Sequence, residues 1–356
     1  MAHLLHHLIS EAARRDPHAV ALRCGPRSLS YGALAQAVLA AAHGFLGLGL
    51  VRGERVAILL DRRAEALLGI LGAAAAGLVC VLIDPQRKAA QVAQALRESG
   101  AGLLLTTPAR LGALKQPLAA CPALRMVLKT GGPAALVPPA FGLPLHDWDA
   151  CMHTKGGGAV PDQAAASETA LLLYPACDSA SGAVGALSHA SLLDGAATLA
   201  ARLGMSAQDR VLGVLPLSTD AGLHQVHAAL ASGAVLVLFN PLLMRDIPEM
   251  VMRERITGLA ATPTMWRQLA TLDWGQRPPL RYIDGAGGAI AHAELALLQR
   301  RLPALQLPPP AALELTPPVL QDQPGRLHLQ GELAGLVAQA ALASLADRSA
   351  QVCLAA

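Results

Sequence analysis

The chain has 356 residues, of which 53% are hydrophobic and 15% charged, and its formal net charge is +3. That length can bury a full core, and so little charge excludes a disordered chain. Scattered basic residues and an aromatic content of 3% leave neither a cationic stripe nor stacking platforms, which argues against nucleic-acid binding.

Residues 4–15 show helical spacing that closes on Asp16-Pro17. His3, His6 and His7 near its start are expected to be solvated, because no Cys or carboxylate shares their turn. Residues 20–23 and 28–30 flank Gly25-Pro26 as a short hairpin, and Ser30 is placed to cap a helix starting at Tyr31. That helix runs out near residues 47–49, before a strand at 55–60. A helix (62–76), a strand (78–83), a helix (88–99) and a strand (102–106) follow in alternation. The uncharged run 66–83 is near the lower limit for a membrane span. Gly77 stops a helix, however, and the Val/Ile-rich end favours a strand, so no span is expected.

Residues 170–174 are short, apolar and uncharged, as a buried central strand is. A loop of small residues follows, and a helix pattern opens at Ser188 and packs against that strand. Further strands are expected at 211–215, 234–239, 258–261 and 281–283. Repeated βα units imply a doubly wound, mostly parallel α/β fold. Lys155-Gly156-Gly157-Gly158 with Pro161 marks the best internal boundary, and Leu307-Pro308-Pro309-Pro310 marks another. The expected domains are therefore 1–160 and 161–306, with a Pro/Ala-rich tail at 307–356. Six cysteines without a CxxC pair and no charged-then-apolar leader suggest a reducing, cytoplasmic setting.

Strand, small-residue loop and helix together can hold a phosphate on free backbone N–H groups. Here the loop offers Ser179, Ser181, Gly182 and Gly185, carries Asp178, and has no Lys. Ser218, Thr219, Asp220, Gly222 and His224 lie at and beyond the end of the expected strand 211–215, where parallel sheets gather ligands; a polar helix start explains Asp220 equally. Gly287, Gly288 and Ala289 sit between a strand and a helix, where backbone can approach a flat ring; an ordinary tight turn explains them too. His189 either acts in chemistry or simply bonds a carbonyl where its helix begins. No metal-ligand cluster stands out.

The stretch TALLLYPACDSASGAVGALS followed by His189 resembles the phosphate loop of acyl-adenylate-forming enzymes, the AMP-dependent synthetases and acyl-CoA ligases. Tyr174, Leu187, Ser188 and His189 fall in register with that family's pattern. Pro175, Ala176, Cys177, Asp178, Ala180 and Ala183 stand where the family has Thr, Ser, Gly, Ser, Gly and Lys. RSLSYGAL (27–34), GERVAILL (53–60), VLPLSTDAG (214–222) and DGAGGA (284–289) are similar to further family segments. The string 245–274 most resembles an exosortase-associated branch linked in bacteria to exopolysaccharide export.

The resemblance implies the fold of that family's large N-terminal domain, without its small C-terminal domain and catalytic Lys. It implies ATP or AMP on Ser179, Ser181, Gly182, Gly287, Gly288 and Ala289, an acyl pocket at 214–222, and Mg²⁺. His189 and Thr316 match positions tied to the chemistry, but Pro317 stands where the Mg²⁺-holding Glu belongs. The expectation is a catalytically impaired member that binds an acyl group, another apolar small molecule or a protein partner. The alternatives are an active ligase served by a separate C-terminal domain, and a purely structural subunit.

Overall fold

The computed structural model describes residues 3–132, 142–153, 160, 164–175, 185–275, 278–286, 288, 290–302 and 305. The chain divides into two units, Met1–Thr316 and Pro317–Ala356, and every described residue lies in the first. In chain order the elements are α1 (His7–Arg15), β1 (Val20–Cys24), β2 (Arg27–Ser30), α2 (Tyr31–Gly47), β3 (Arg55–Ile58), α3 (Ala64–Ala75) and β4 (Val79–Ile83). Then come α4 (Ala89–Ser99), β5 (Leu103–Thr106), α5 (Pro108–Ala119), β6 (Met126–Lys129), β7 (Leu145–Asp147) and α6 (Trp148–Met152). The rest are β8 (Thr169–Tyr174), β9 (Gly185–Ser188), α7 (His189–Leu203), β10 (Arg210–Gly213), α8 (Asp220–Ala231), β11 (Val235–Leu238), α9 (Asp246–Arg253), β12 (Gly258–Ala260), α10 (Pro263–Leu269), β13 (Tyr282–Asp284) and α11 (His292–Arg301).

Local chemistry sets many of these bounds. Ser30 accepts from the Ala33 amide at 3.2 Å and Ser188 from the Ser191 amide at 3.1 Å, so each hydroxyl caps the helix expected to follow it. Gly77, at φ +69, separates α3 from β4 and ends the uncharged run as a helix followed by a strand. No helix among the described residues is long and apolar enough to cross a membrane. Cys24, Cys80, Cys121 and Cys151 are free thiols, and burial pushes the Cys151 thiol up to about 11.

The strands form two sheets, in the orders β7-β6-β5-β3-β4-β8-β9 and β13-β12-β10-β11-β1-β2. All neighbours run parallel except the edge pairs β8–β9 and β1–β2. β8 is therefore not a central strand: it is second from the edge, and the β9 edge strand was not anticipated. The four residues of β9 are GALS, too short and too small in side chain to show alternation. The sheets also cross the boundary expected near residue 160. β1 and β2 join the sheet of β10–β13, while β8 and β9 join the sheet of β3–β7.

Alternation along the strands divides the core into layers. The largest cluster joins Leu22 and Leu236 of one sheet to Leu82 and Leu171 of the other through α2, α3 and α8. Residues of opposite parity face outward, Leu212 and Val237 towards the α9–α11 side and Val81 and Leu104 towards α4 and α5. Every residue of α3 is buried, and a Cβ on its Gly72 would meet Ala41 Cβ at 2.5 Å. That helix can approach α2 so closely only because Gly72 has no side chain. Leu192 of α7 joins the core over Leu171, but Ala196, Leu199 and Leu203 pack on Ala228 of α8 and on Tyr282.

Candidate functional site

Apolar strands hold the polar residues of the site at their carboxyl ends. The chain leaves β3 through Asp61 and Arg62, β4 through Asp84 and Gln86, and β10 through Leu217 and Ser218. These three exits, drawn from both sheets, line one cavity of about 80 Å³. Ligands collect where parallel strands end, because the loops there diverge and strand packing holds them in place.

Asp84 is 3% exposed, yet its carboxylate is satisfied. Oδ2 accepts from Ser218 Oγ at 2.7 Å and Oδ1 from the Gln86 amide at 2.8 Å. Arg62 donates from Nε to the Phe239 carbonyl at 2.9 Å. Asn240 brackets the Arg62 backbone, accepting its N–H at 3.2 Å and donating to its carbonyl at 2.8 Å. Burial lowers the Arg62 pKa, opposed by the charges of Asp61 and Asp84. At the mouth of the loop after β8, Arg87 donates to the Pro175 carbonyl at 2.9 Å and stands 5.8 Å over the Tyr174 ring.

The start of α8 follows Ser218 directly in the chain. Thr219 Oγ1 accepts from the Gly222 amide at 3.3 Å and donates to the Pro216 carbonyl at 2.8 Å, so Thr219 is the cap and Asp220 the first helical residue. A Cβ on Gly222 would run into the Pro216 carbonyl oxygen, so this glycine serves a backbone contact. Asp220 Oδ1 is buried with no hydrogen-bond partner among the described residues. His224, one turn on, packs against Gly195 of α7, and burial lowers its pKa against the partial opposition of Asp220.

At the end of β13, Asp284 accepts from Arg202 Nη2 at 2.7 Å and from the Ala286 amide at 3.0 Å. The Gly288 amide donates to the Gly285 carbonyl at 3.0 Å, and a Cβ on Gly288 would meet Pro263 Cγ at 2.6 Å. Close backbone packing thus accounts for Gly288, while Gly287 and Ala289 lie outside the described residues. Buried His189 accepts from the Leu5 amide on Nδ1 at 3.2 Å, which ties its ring to the N-terminal segment. Ser179, Ser181, Gly182 and Thr316 lie outside the described residues.

Of the residues expected after β10, Ser218 lines the cavity with Asp84 and Arg62, while Thr219, Asp220, Gly222 and His224 form the cap and first turns of α8; Asp84, Arg62 and Asn240 are residues the sequence reading missed. The available signal was Asp84-Pro85 directly after an apolar strand, a carboxylate where a parallel sheet collects ligands.

A model of a family described as AMP-binding enzyme matches residues 9–307. Phosphinothricin tripeptide synthetase PhsC of Streptomyces viridochromogenes is 28% identical over 300 residues, which cover 82% of this chain and 25% of that protein. A feruloyl-CoA synthase of an Amycolatopsis species is 27% identical over 287 residues, covering 80% of this chain and 54% of that protein. The chain therefore spans at most about half the length of either curated relative. Among solved structures, the N-terminal domain of FACL13 from Mycobacterium tuberculosis superposes with a TM-score of 0.70 at 18% identity, covering 86% of this chain and 75% of that one. At that identity the likeness is one of fold.

Proposed function

Because the chain belongs to the AMP-binding enzyme family, we propose that it is a catalytically impaired member, binding an acyl or other apolar small molecule at the strand-end cleft without activating it. The observation that carries this reading is the composition of the loop after β8. Ala183 stands where the family has its phosphate-gripping Lys, and Asp178 adds a negative charge. All four lysines, Lys88, Lys115, Lys129 and Lys155, precede that loop.

The described part of the cleft is a poor match for ATP with Mg²⁺, and the loop 176–184 lies outside the described residues. Asp61 and Asp84 line the cavity, where phosphates would meet like charge. Adenylate formation concentrates negative charge, and stabilising it takes pre-placed cations and donors.

The apolar side of the cleft is better kept. Leu60, Ala66 and Leu217 line it beside the polar residues, and 214–222 retains the family-like pattern. The resemblance of 245–274 to the exosortase-associated branch extends the proposal to an exopolysaccharide-export setting. The test is ATP–pyrophosphate exchange with Mg²⁺ and a panel of fatty acids, with and without a separately supplied C-terminal domain, beside equilibrium binding of the same acids. Binding without exchange is expected. Exchange above background in either arm would overturn the impaired reading, and absence of any binding would leave the purely structural role.

A further inference from the structure

A larger cavity lies at the opposite end of the strands. It is lined by Leu4, by Leu46 and Leu50 at and beyond the end of α2, and by Ala74, Ala75 and Ala76 at the end of α3. Its volume is about 280 Å³. Leu50 and Gly77 precede β3 and β4, so this cavity sits at the amino ends of the strands whose carboxyl ends form the cleft described above. β4 alone has five residues, which at ~3.3 Å per residue puts about 16 Å between the two sites.

We propose that this cavity is a second ligand site, for a saturated monocarboxylate of about eight carbons. Leu4, Leu50, Ala74 and Ala75 are each no more than 3% exposed, so most of the wall is hydrocarbon, with His6 and Arg52 as its polar side chains. Along the alanine and leucine wall water finds few of the two to four polar partners it needs. About 280 Å³ corresponds to roughly nine water-sized volumes of ~30 Å³, which is the bulk of a medium acyl chain and near the lower end of ligand-pocket sizes. The small side chains of Ala74–Ala76 create the room. Filling them would close it.

Arg52 supplies the group that recognises the carboxylate. It lines the same cavity, and its stem lies across Gly77, where an added methyl would meet Arg52 Cγ at 3.3 Å. Glu168 holds one arm of the guanidinium, with Oε1 accepting from Arg52 Nη2 at 2.6 Å. Glu168 is itself fixed by the Ala165 amide, which donates to it at 2.8 Å. A guanidinium has five N–H donors in a fixed fork, so one carboxylate partner leaves donors for a second. The carboxylate would sit at the half-exposed rim beside Arg52, and the chain would run inward past Leu50 to the alanines.

The test uses the full chain with octanoate, octan-1-ol and a photoreactive diazirine analogue of octanoate. The analogue is expected to label peptides containing 46–52 or 74–77. Arg52→Met keeps the stem and removes the guanidinium, so octanoate should bind at least ~10-fold more weakly while octan-1-ol is unchanged. Ala75→Leu should abolish binding of both. Labelling confined to 58–66, 82–86 or 216–218 would overturn the proposal by moving the ligand to the strand-end cleft. Unchanged octanoate affinity in Arg52→Met, or no octanoate binding at millimolar concentration, would overturn it as well. Because the two sites are labelled separately, failure by labelling or by Arg52→Met leaves the cleft reading standing, whereas absence of all binding counts against both.

Discussion

Ser218 reaches across from the loop after β10 and donates its hydroxyl to Asp84, after β4, over 2.7 Å. The two residues leave different sheets, so this bond joins the sheets at the floor of the cleft. Both are nearly buried, at 4% and 3% exposed, and water cannot readily replace a lost partner. Ser218→Ala should therefore cost about 1–3 kcal/mol, the penalty of leaving a buried acceptor short of a donor. Urea denaturation at neutral pH measures it. A variant as stable as the parent would mean that Asp84 reaches solvent.

Gly222 is the second point at which cleft geometry depends on one residue. In the first turn of a helix, Ala is ordinarily better than Gly by about 1 kcal/mol. Here a methyl would collide with the Pro216 carbonyl oxygen and with its carbon at 2.9 Å, both backbone atoms that cannot rotate away. The clash should outweigh propensity, so Gly222→Ala is expected to destabilise by about 1–3 kcal/mol and to weaken any ligand held against 216–218. Thermal melts of parent and variant, beside labelling of 216–218 by the diazirine analogue, separate the two effects. A rise in melting temperature would show that propensity wins.

Most strands of the βα units were readable because each is a short apolar run bounded by Gly or by a polar exit, whereas β6 (MVLK), β7 (LHD) and β9 (GALS) were not anticipated. The cap at Ser30 was readable for the same local reason, a hydroxyl placed before a helical pattern, whereas Ser188, read as the start of its helix, is that helix's cap. Which sheet each strand joins was not. β1 and β8 are both apolar with neighbours on two sides, and nothing within VALRC or TALLLY says that the first pairs with β11 and the second with β4. Pairing is settled by long-range packing, which periodicity does not carry. The cleft was half legible for a related reason. Ser218 to His224 follow one strand and could be read together, whereas Asp84, Arg62 and Asn240 are far from them in sequence and meet only once both sheets form.

Asn240 tests that meeting directly. Its side-chain amide makes two bonds to the backbone of Arg62, at 3.2 and 2.8 Å, while Arg62 Nε holds Phe239. Asn240 is exposed, so water takes up part of what is lost on truncation. Asn240→Ala should cost about 1 kcal/mol in stability and speed hydrogen exchange at the Arg62 amide. Unchanged exchange at that amide would mean that the loop after β3 is held by Phe239 alone.

His227 sets the acid limit. Its ring is 0% exposed, and neither nitrogen has a hydrogen-bond partner among the described residues. Burial, and secondarily the neighbouring His224, push its pKa down from 6.5 to about 3. The folded state therefore binds this proton less readily than the unfolded chain does. Stability from this group is fully present above about pH 6.5 and is lost as pH falls through the window from 6.5 towards 3. Within that window the loss is about 1.4 kcal/mol per pH unit. His224, also lowered by burial, steepens the fall near its upper end. His227→Leu removes the titrating group and fills a similar volume, so it should flatten the dependence and stabilise the chain below pH 6, where the parent must protonate or unfold. Urea midpoints measured at pH 7.5, 6 and 5 for both proteins decide the point. Parallel curves would show that the His227 ring gains a proton without leaving the fold, through a partner or water that reaches its nitrogens.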